Sequence, residues 1–264
     1  MDIFKIIILG VIQGITEFLP VSSSGHLAVA SKLFGINDNA LLIAVVLHAG
    51  SLFSIIAVYY NEILKIFKEQ RNMIPLIVTA IIPIGIVGFL FEFLHLGDNL
   101  FGNMFVVSGG LFLTSMLLFF GMKSSTSEIE SGKDFESISY KDALIIGMLQ
   151  CIAILPGVSR SGTTISTALR LKINRESAAS FSFIIALPVI GAAAFLKMFE
   201  YIHSSSSVSH IPALTLVSGF VTSAIVGVIS LKFLIYTVKK GKLNLFAYYC
   251  LCLSMVILCI AIWG

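Results

Sequence analysis

Two short polar clusters interrupt an otherwise apolar chain of 264 residues. The first cluster occupies residues 13–26 and the second residues 150–164. Polar and ionisable groups are costly at membrane depth, so they persist mainly where they face a cavity and perform a function. We therefore expect these two clusters to carry the chemistry of the protein.

In the first cluster, Gln13 and Glu17 are four residues apart, so on a helix their side chains share one face. Pro20 stops that helix, and residues 22–25 (Ser-Ser-Ser-Gly) form a turn from which a second short helix carrying His26 begins. A small-residue turn at a helix N-terminus presents backbone N–H groups and hydroxyls. Such a turn suits an anion, and phosphate above all.

In the second cluster, Pro156 and Gly157 break a helix, and residues 159–164 open the next one. Arg160 is decisive, because a guanidinium at membrane depth needs a bidentate anionic partner such as a phosphate or a carboxylate. The two clusters together supply two hydroxyl-rich helix starts, one Arg, one Glu and one His. This combination predicts phosphoryl transfer.

The composition is typical of a membrane protein. Hydrophobic residues make up 57% of the chain and charged residues 12%, with a mean hydropathy of +1.00, which excludes an ordinary soluble domain. We predict an all-α polytopic membrane protein with six transmembrane helices, because six apolar runs are each long enough to cross about 30 Å of hydrocarbon. These runs are residues 41–60, 74–94, 103–122, 178–199, 213–236 and 244–263.

Two further apolar stretches, residues 3–20 and 142–157, are shorter, and each breaks at a proline followed by Ser and Gly. We treat both as re-entrant helical hairpins that return to their own side. Nearly all Lys and Arg residues then fall in loops on one side, and the opposite loops near 95–102 and 200–212 contain none. By the positive-inside rule the basic side is cytoplasmic, and both termini lie outside.

The beginning of the chain has one feature of a signal peptide, since Lys5 precedes an apolar run. Gln13 and Glu17 interrupt that run, however, and no small-x-small cleavage site follows. We expect this segment to remain in the mature protein.

An internal repeat at an offset of 137 residues relates the two clusters. We predict a first repeat at 1–122, a cytoplasmic linker at 123–141 and a second repeat at 142–264, all within one integral membrane domain. Each repeat holds one hairpin and three spans, so the second is inverted relative to the first, and the polar clusters should meet at their interface. The matching pairs include Gly10 with Gly147, Gln13 with Gln150, Ser22 with Ser159, Ser24 with Ser161 and Gly25 with Gly162.

Over its whole length the chain resembles the bacterial undecaprenyl-diphosphate phosphatase family of the bacitracin-resistance (BacA/UppP) type. The family motifs Glu/Gln-x-x-x-Glu and Pro-Gly-x-Ser-Arg-Ser-x-x-Thr stand here at 13–17 and 156–164, and the Ser-Ser-Gly-His run at 23–26. The resemblance implies hydrolysis of undecaprenyl diphosphate to undecaprenyl phosphate and inorganic phosphate. It places this reaction at the outer face of the plasma membrane, where it recycles the lipid carrier for peptidoglycan synthesis.

We assign hypothetical roles on these positions. Arg160 clamps the diphosphate and stabilises charge on the transferring phosphoryl group. Glu17 is either a metal ligand or a general base, and Ser23 and His26 compete for the role of nucleophile. Gln13, the other tentative metal ligand, stands where some family members have Glu and brings no charge, so we expect a divalent cation, Mg²⁺ or Ca²⁺, to arrive with the substrate. The predicted phosphate-binding residues are Ser22, Ser24, Ser159, Arg160, Ser161 and Thr164.

Alternatives remain at this point. Glu17 and Arg160 would also suit a structural ion bridge between the repeats, and the serines would suit helix caps or close packing. The alternative function is a transporter or flippase of a phosphorylated polyprenyl lipid, since inverted repeats with broken helices are also a transporter plan. We expect the lipid bilayer as a partner, homo-oligomers as an option, and no nucleic acid. His48, His95, His203 and His210 lie outside both motifs and are interpreted as structural.

Overall fold

The computed structural model describes residues 2–36, 40–94, 96–97, 100, 102–122, 131–203 and 211–263. Within these ranges the chain is helical, and its one β feature is an isolated bridge between Lys133 and Ile173. His95, His210, residues 123–130 of the predicted linker and parts of the two predicted non-basic loops lie outside the described residues. The α-helices are α1 (Ile3–Thr16), α2 (Ser23–Phe34), α3 (Ala40–Val58), α4 (Tyr60–Lys68), α5 (Met73–Phe93), α6 (Met104–Gly121), α7 (Tyr140–Gln150), α8 (Arg160–Arg170), α9 (Arg175–His203), α10 (Ala213–Lys239) and α11 (Asn244–Trp263).

Six helices of the described part, α3, α5, α6, α9, α10 and α11, are long and apolar enough to cross a membrane. They coincide with the six apolar runs in the sequence, so the prediction of six membrane-length helices is confirmed. Large apolar side chains such as Phe89, Leu214 and Trp263 are exposed on the outside, whereas Gln13 and Gln150 are fully buried. This distribution suits lipid, where apolar groups face the hydrocarbon and polar groups must be enclosed.

The first hairpin consists of α1, a turn and α2. α1 is capped by Asp2, whose side chain accepts the N–H of Phe4, and it ends before Glu17. The turn contains Pro20, which cannot continue a helix. Lys5 Nζ donates to the carbonyl oxygen of Phe34 at 3.0 Å, so the start of α1 lies beside the end of α2. The hairpin therefore begins and ends at the same end of the molecule.

The second hairpin consists of α7, a turn and α8. Ser139 and Asp142 form a capping box at the start of α7, and Lys133 Nζ lies 2.7 Å from the Asp142 carboxylate. Burial raises the pKa of Asp142, but hydrogen bonds from Lys133 and Ser139 outweigh burial and hold that pKa below its usual range. The backbone N–H of Lys133 also donates to the carbonyl of Lys172, just beyond α8, at 2.8 Å. This hairpin, too, returns to the end at which it began.

The two hairpins pack on different long helices, α1 along α10 and α7 along α5. Gly10 makes the first contact close, since a Cβ there would meet the carbonyl oxygen of Gly219 at 3.0 Å. Gly147 has the same role in the second contact, where a Cβ would overlap the carbonyl oxygen of Ala80. Small residues let membrane helices approach at backbone distance. Each hairpin is thus held inside the bundle.

The turn of the second hairpin generates a stability prediction. A Cβ at Gly110 of α6 would overlap the carbonyl oxygen of Pro156, whereas nothing lies within 4 Å of a Cβ at the adjacent Gly109. We predict that Gly110→Ala destabilises the protein by about 1–3 kcal/mol through overpacking. Gly109→Ala should leave stability unchanged or raise it slightly, because Ala favours a helix over Gly. Thermal unfolding of the two variants in detergent measures the difference, and equal Tm values would contradict this close contact.

Candidate functional site

The turns of the two hairpins meet at Glu17. Its Oε1 accepts a hydrogen bond from Arg160 Nη2 at 2.8 Å, and its Oε2 accepts one from Ser23 Oγ at 2.7 Å. The Glu17 side chain is buried and that of Arg160 is 13% exposed, so these contacts form a largely buried ion pair to which Ser23 adds a hydrogen bond. The structure therefore brings together three of the four residues that the sequence predicted to be catalytic, although Arg160 is 143 residues from Glu17.

Two helices begin at the centre formed by Glu17, Ser23 and Arg160, and both are capped by serine. α2 begins at Ser23 and α8 at Arg160, and the preceding residues, Ser22 and Ser159, are their N-caps. Each capping hydroxyl accepts the N–H of the glycine three residues further on, at 3.4 Å and 3.1 Å respectively. The positive ends of two helix dipoles thus lie beside the ion pair, an arrangement that attracts an anion.

The other hydroxyls predicted to bind phosphate divide into two groups. Ser24 Oγ and Ser161 Oγ each lie 3.2 Å from the capping serine of their own turn, so both are at the centre. Thr164 is turned toward α9, because its Oγ1 donates to the carbonyl of Arg160 at 3.0 Å and is hydrogen-bonded to Ser182. The geometry places Ser24 and Ser161 beside the helix starts and Thr164 behind them.

Part of the hydrogen-bonding capacity at the centre is unused. Arg160 Nη1 and Gln13 Oε1 are buried and have no hydrogen-bond partner among the described residues. A buried polar atom without a partner is rare in native proteins and calls for an explanation such as a bound ligand, ion or water. A planar guanidinium with one nitrogen on Glu17 and the other nitrogen unpaired is able to take an anion as a second partner.

Gln13 and Glu17 do not fit a resident divalent cation on their own. Gln13 Nε2 donates to Glu17 Oε2 at 3.1 Å, and both Glu17 oxygens already accept hydrogen bonds. The only formal charges within this contact set are one carboxylate and the Arg160 guanidinium, which repels a cation. The described residues contain no group of three His, Cys, Asp or Glu side chains arranged to hold a metal ion. Ca²⁺ takes about six to eight oxygen ligands, and Mg²⁺ is usually held by one or two carboxylates together with waters and substrate phosphates.

His26, the fourth predicted catalytic residue, lies one turn into α2 and is engaged elsewhere. Its Nδ1 is 2.7 Å from the carbonyl oxygen of Ser22, and its Nε2 is 2.7 Å from the hydroxyl of Tyr249 on α11. These contacts leave His26 beside the Glu17 network and not hydrogen-bonded to it. Tyr249 carries no sequence signal, because it sits in an ordinary apolar run.

The structure adds a residue that the sequence interpretation set aside. His48 Nε2 lies 3.8 Å from Glu17 Oε2, and His48 Nδ1 is 2.8 Å from the carbonyl oxygen of Ala44. Ser51, one turn further along α3, accepts a hydrogen bond from Gln13 Nε2 at 3.2 Å. The sequence did contain a signal for His48, because an ionisable side chain in the middle of an apolar span suggests a functional residue.

Six apolar helices around a buried polar centre define a multi-pass membrane protein. The chain matches the family model described as bacitracin resistance protein BacA over residues 6–256, and it belongs to this BacA family. It is similar to the undecaprenyl-diphosphatase of Halothermothrix orenii, with 38% identity over 264 residues that cover 99% of each chain. The undecaprenyl-diphosphatase of Carboxydothermus hydrogenoformans is 36% identical, covering 98% of this chain and 97% of the relative. That of Parabacteroides distasonis is 40% identical, covering 97% of each.

The buried ion pair generates a prediction about stability. Removing one partner leaves an uncompensated buried charge, which typically costs about 3–5 kcal/mol. We predict that Arg160→Ala and Glu17→Ala each lower the Tm in detergent, and that the double variant recovers part of the summed loss because the two residues are coupled. Thermal unfolding of the four proteins measures this coupling. Additive losses would show that the pair is not a buried, interacting unit.

Proposed function

We propose that this protein hydrolyses undecaprenyl diphosphate to undecaprenyl phosphate and inorganic phosphate, and thereby recycles the lipid carrier for peptidoglycan synthesis. Membership of the BacA family and similarity to relatives named undecaprenyl-diphosphatase support this activity. The structural observation that carries it is Arg160, a largely buried cation that contacts Glu17 beside two helix N-termini and whose Nη1 has no hydrogen-bond partner among the described residues. The alternative of a transporter or flippase receives no support from the names of these relatives.

Substrate binding in this proposal uses the electrostatics of the two turns. The diphosphate lies at the starts of α2 and α8, where backbone N–H groups and the hydroxyls of Ser22, Ser24, Ser159 and Ser161 are donors. Arg160 contributes its unpaired nitrogen first and then exchanges Glu17 for a second phosphate oxygen. Thr164 supports α8 from behind through its bond to the Arg160 carbonyl.

Ser23 is the proposed nucleophile and Glu17 its base. Ser23 Oγ attacks the terminal phosphorus, its proton passes to Glu17 Oε2 at 2.7 Å, and the bond to the bridging oxygen breaks so that undecaprenyl phosphate leaves. Glu17 is a weak base while it is paired with Arg160. Once the phosphates draw the guanidinium away, the carboxylate loses its stabilising partner and becomes a stronger base. Substrate binding therefore activates the nucleophile.

A water molecule then hydrolyses the phosphoserine. The water oxygen bonds to phosphorus, the bond from phosphorus to Ser23 Oγ breaks, and Glu17 returns its proton to that oxygen as phosphate leaves. The proton from the water goes to His26, which acts as a base and not as the nucleophile, because Ser23 and not His26 is hydrogen-bonded to Glu17. His26 releases the proton to solvent before the next turnover.

A divalent cation, Mg²⁺ or Ca²⁺, enters this proposal only as part of the substrate. Diphosphate oxygens would be its main ligands, because the single carboxylate of Glu17 beside neutral Gln13 is too weak a site to hold it alone. When bound, the cation neutralises charge on the diphosphate.

The proposed membrane arrangement is two re-entrant hairpins in an inverted repeat. Each hairpin begins and ends at one end of the molecule, as the Lys5–Phe34 and Lys133–Lys172 hydrogen bonds require. α1 and α7 contain 14 and 11 residues, and at 1.5 Å per residue neither spans about 30 Å of hydrocarbon. These facts support segments that enter the membrane and return.

The positions of the open ends of the two hairpins, where each begins and ends, support an inversion of the second repeat relative to the first. Ile6 of α1 shares a buried cluster with Ile211, which precedes α10. Arg175 begins the helix that follows the second hairpin, and its guanidinium lies against Gly241, just beyond the end of α10. A Cβ built at Gly241 would be 2.9 Å from that guanidinium. α10 has 27 residues and a length of about 40 Å, so the hairpins open at opposite ends of it.

We place the basic end of the bundle in the cytoplasm of a bacterial plasma (inner) membrane, with the site open to the extracytoplasmic side. Lys65 and Lys239 lie at this end, paired with Glu136 at 3.4 Å and Glu176 at 2.9 Å respectively. An excess of Lys and Arg marks the cytoplasmic side of membrane proteins.

The proposed function is tested by phosphate release from a long-chain prenyl diphosphate by purified protein in detergent. We expect turnover by the wild type and a loss of about 10³–10⁵-fold in Arg160→Ala, the range for phosphoryl-clamping arginines. Arg160→Lys keeps the charge but loses the planar fork, so it should also be severely impaired. Arg170→Ala, at the far end of the same helix, should retain activity.

A parallel reaction with chelator measures how phosphate release depends on Mg²⁺ or Ca²⁺. Activity should return when either ion is added with the substrate. A folded wild type that releases no phosphate would refute the proposed function. Near-normal turnover by Arg160→Ala would refute the clamp.

The proposed nucleophile makes a separate prediction. Brief incubation with substrate labelled at the terminal phosphate should leave label on the protein at Ser23, found by quenching in denaturant at neutral pH, where phosphoserine and phosphohistidine both survive, followed by peptide mass spectrometry. Ser23→Ala should abolish the label and turnover, while Ser31→Ala, on the same helix, should retain both. Activity in Ser23→Ala at the wild-type level would exclude a phosphoserine intermediate, and label on His26 would reverse the roles assigned to the two residues.

A further inference from the structure

Both ring nitrogens of His26 have identifiable hydrogen-bond roles. A backbone carbonyl only accepts, so the 2.7 Å contact with the Ser22 carbonyl requires the hydrogen on Nδ1. In the neutral ring, Nε2 is then the unprotonated nitrogen. Nε2 lies 2.7 Å from the hydroxyl of Tyr249, which must donate to it. The nitrogen that takes up a proton is therefore covered by a phenol.

α11 is held in place at this point by the next residue. Cys250 is fully buried, and its thiol donates to the carbonyl oxygen of Pro20 in the first turn at 3.4 Å. The rings of His26 and Tyr249 are nearly parallel, with an interplanar angle of 8° and centroids 5.8 Å apart. The contact thus joins a residue from the end of the chain to the turn that carries Ser23. No sequence motif predicts this pairing, which arises only because the chain folds α11 against the first hairpin.

We propose that Tyr249 is the proton relay of His26. In the hydrolytic step, the attacking water gives a proton to the Tyr249 oxygen as the phenol passes its own hydrogen to His26 Nε2. One water O–H bond breaks, the phenol O–H is broken and re-formed, and one N–H bond forms, so the phenol ends the step unchanged. A hydroxyl is suited to this role because it donates to the neutral ring and accepts from the imidazolium. The proposal rests on the proposed function of this site.

The first test compares Tyr249→Phe with the wild type in the phosphate-release assay. The variant keeps the ring and loses the hydroxyl, so we expect kcat to fall by at least about 10-fold, within the range of general acid–base effects, with KM nearly unchanged. Tyr248→Phe is the matched control, because this neighbouring ring packs edge-on against Phe119 at 5.1 Å, away from His26. An unchanged kcat in Tyr249→Phe, or an equal fall in Tyr248→Phe, would overturn the proposal.

A double-variant comparison separates a relay from general support of the fold. In the His26→Ala background, Tyr249→Phe should cause no further loss of kcat, since the relay has nothing to serve. A further loss as large as in the wild-type background would refute the relay.

A chemical readout is independent of turnover. Diethyl pyrocarbonate modifies unprotonated imidazole nitrogens, so peptide mass spectrometry should show faster modification of His26 in Tyr249→Phe than in the wild type or Tyr248→Phe. Equal rates would refute the hydrogen bond itself. An inactive wild type that still shows this difference would refute the phosphatase function while keeping the His26–Tyr249 contact, so the two failures are distinguishable.

Discussion

The buried ion pair between Glu17 and Arg160 is the interaction on which the rest of the structure depends. Removing two charges from water is expensive, and their attraction offsets that expense only with good geometry and further hydrogen bonds. Ser23 and Gln13 provide such bonds to the same carboxylate. A pair that joins residues 143 positions apart also fixes two separate turns at one point. The short hairpins and their close glycine contacts then have a common purpose, which is to hold both turns at the centre of the bundle.

The two turns share the same N-cap hydrogen bond but carry different chemistry. Ser22 and Ser159 cap equivalent helices with equivalent hydrogen bonds, at the offset of 137 residues that relates the halves. The next residue in each half is the first residue of its helix and contacts Glu17: Ser23 as a hydroxyl, Arg160 as a guanidinium. One position thus supplies the proposed nucleophile in the first half and a cation in the second. In the proposed mechanism the two similar helix starts form the anion site, and the difference between Ser23 and Arg160 sets the direction of the reaction.

Much of this was predictable from the sequence because it depends on local rules. Apolar runs located the six long helices, and the Pro and Ser positions located the turns and caps. The participation of His48 and Tyr249 was not predictable. Each sits in a long apolar helix with no motif around it, and its relation to Glu17 or His26 arises only from how α3 and α11 pack against the first hairpin. Sequence spacing reports neighbours along one helix, whereas these contacts are made between helices.

The second terminal nitrogen of Arg160 favours a working ion pair over a purely structural one. An ion pair retained only for stability would be expected to use every donor, because an unsatisfied buried N–H costs about 1–3 kcal/mol and more in a charged group. Arg160 instead holds Glu17 through Nη2, and its buried Nη1 has no partner in the part of the chain that the structure describes. A diphosphate satisfies that donor and also competes for the one already in use. In the proposed mechanism its arrival changes the partner of Arg160 and frees Glu17 at the moment when a base is needed, so a single exchange of hydrogen bonds couples binding to catalysis.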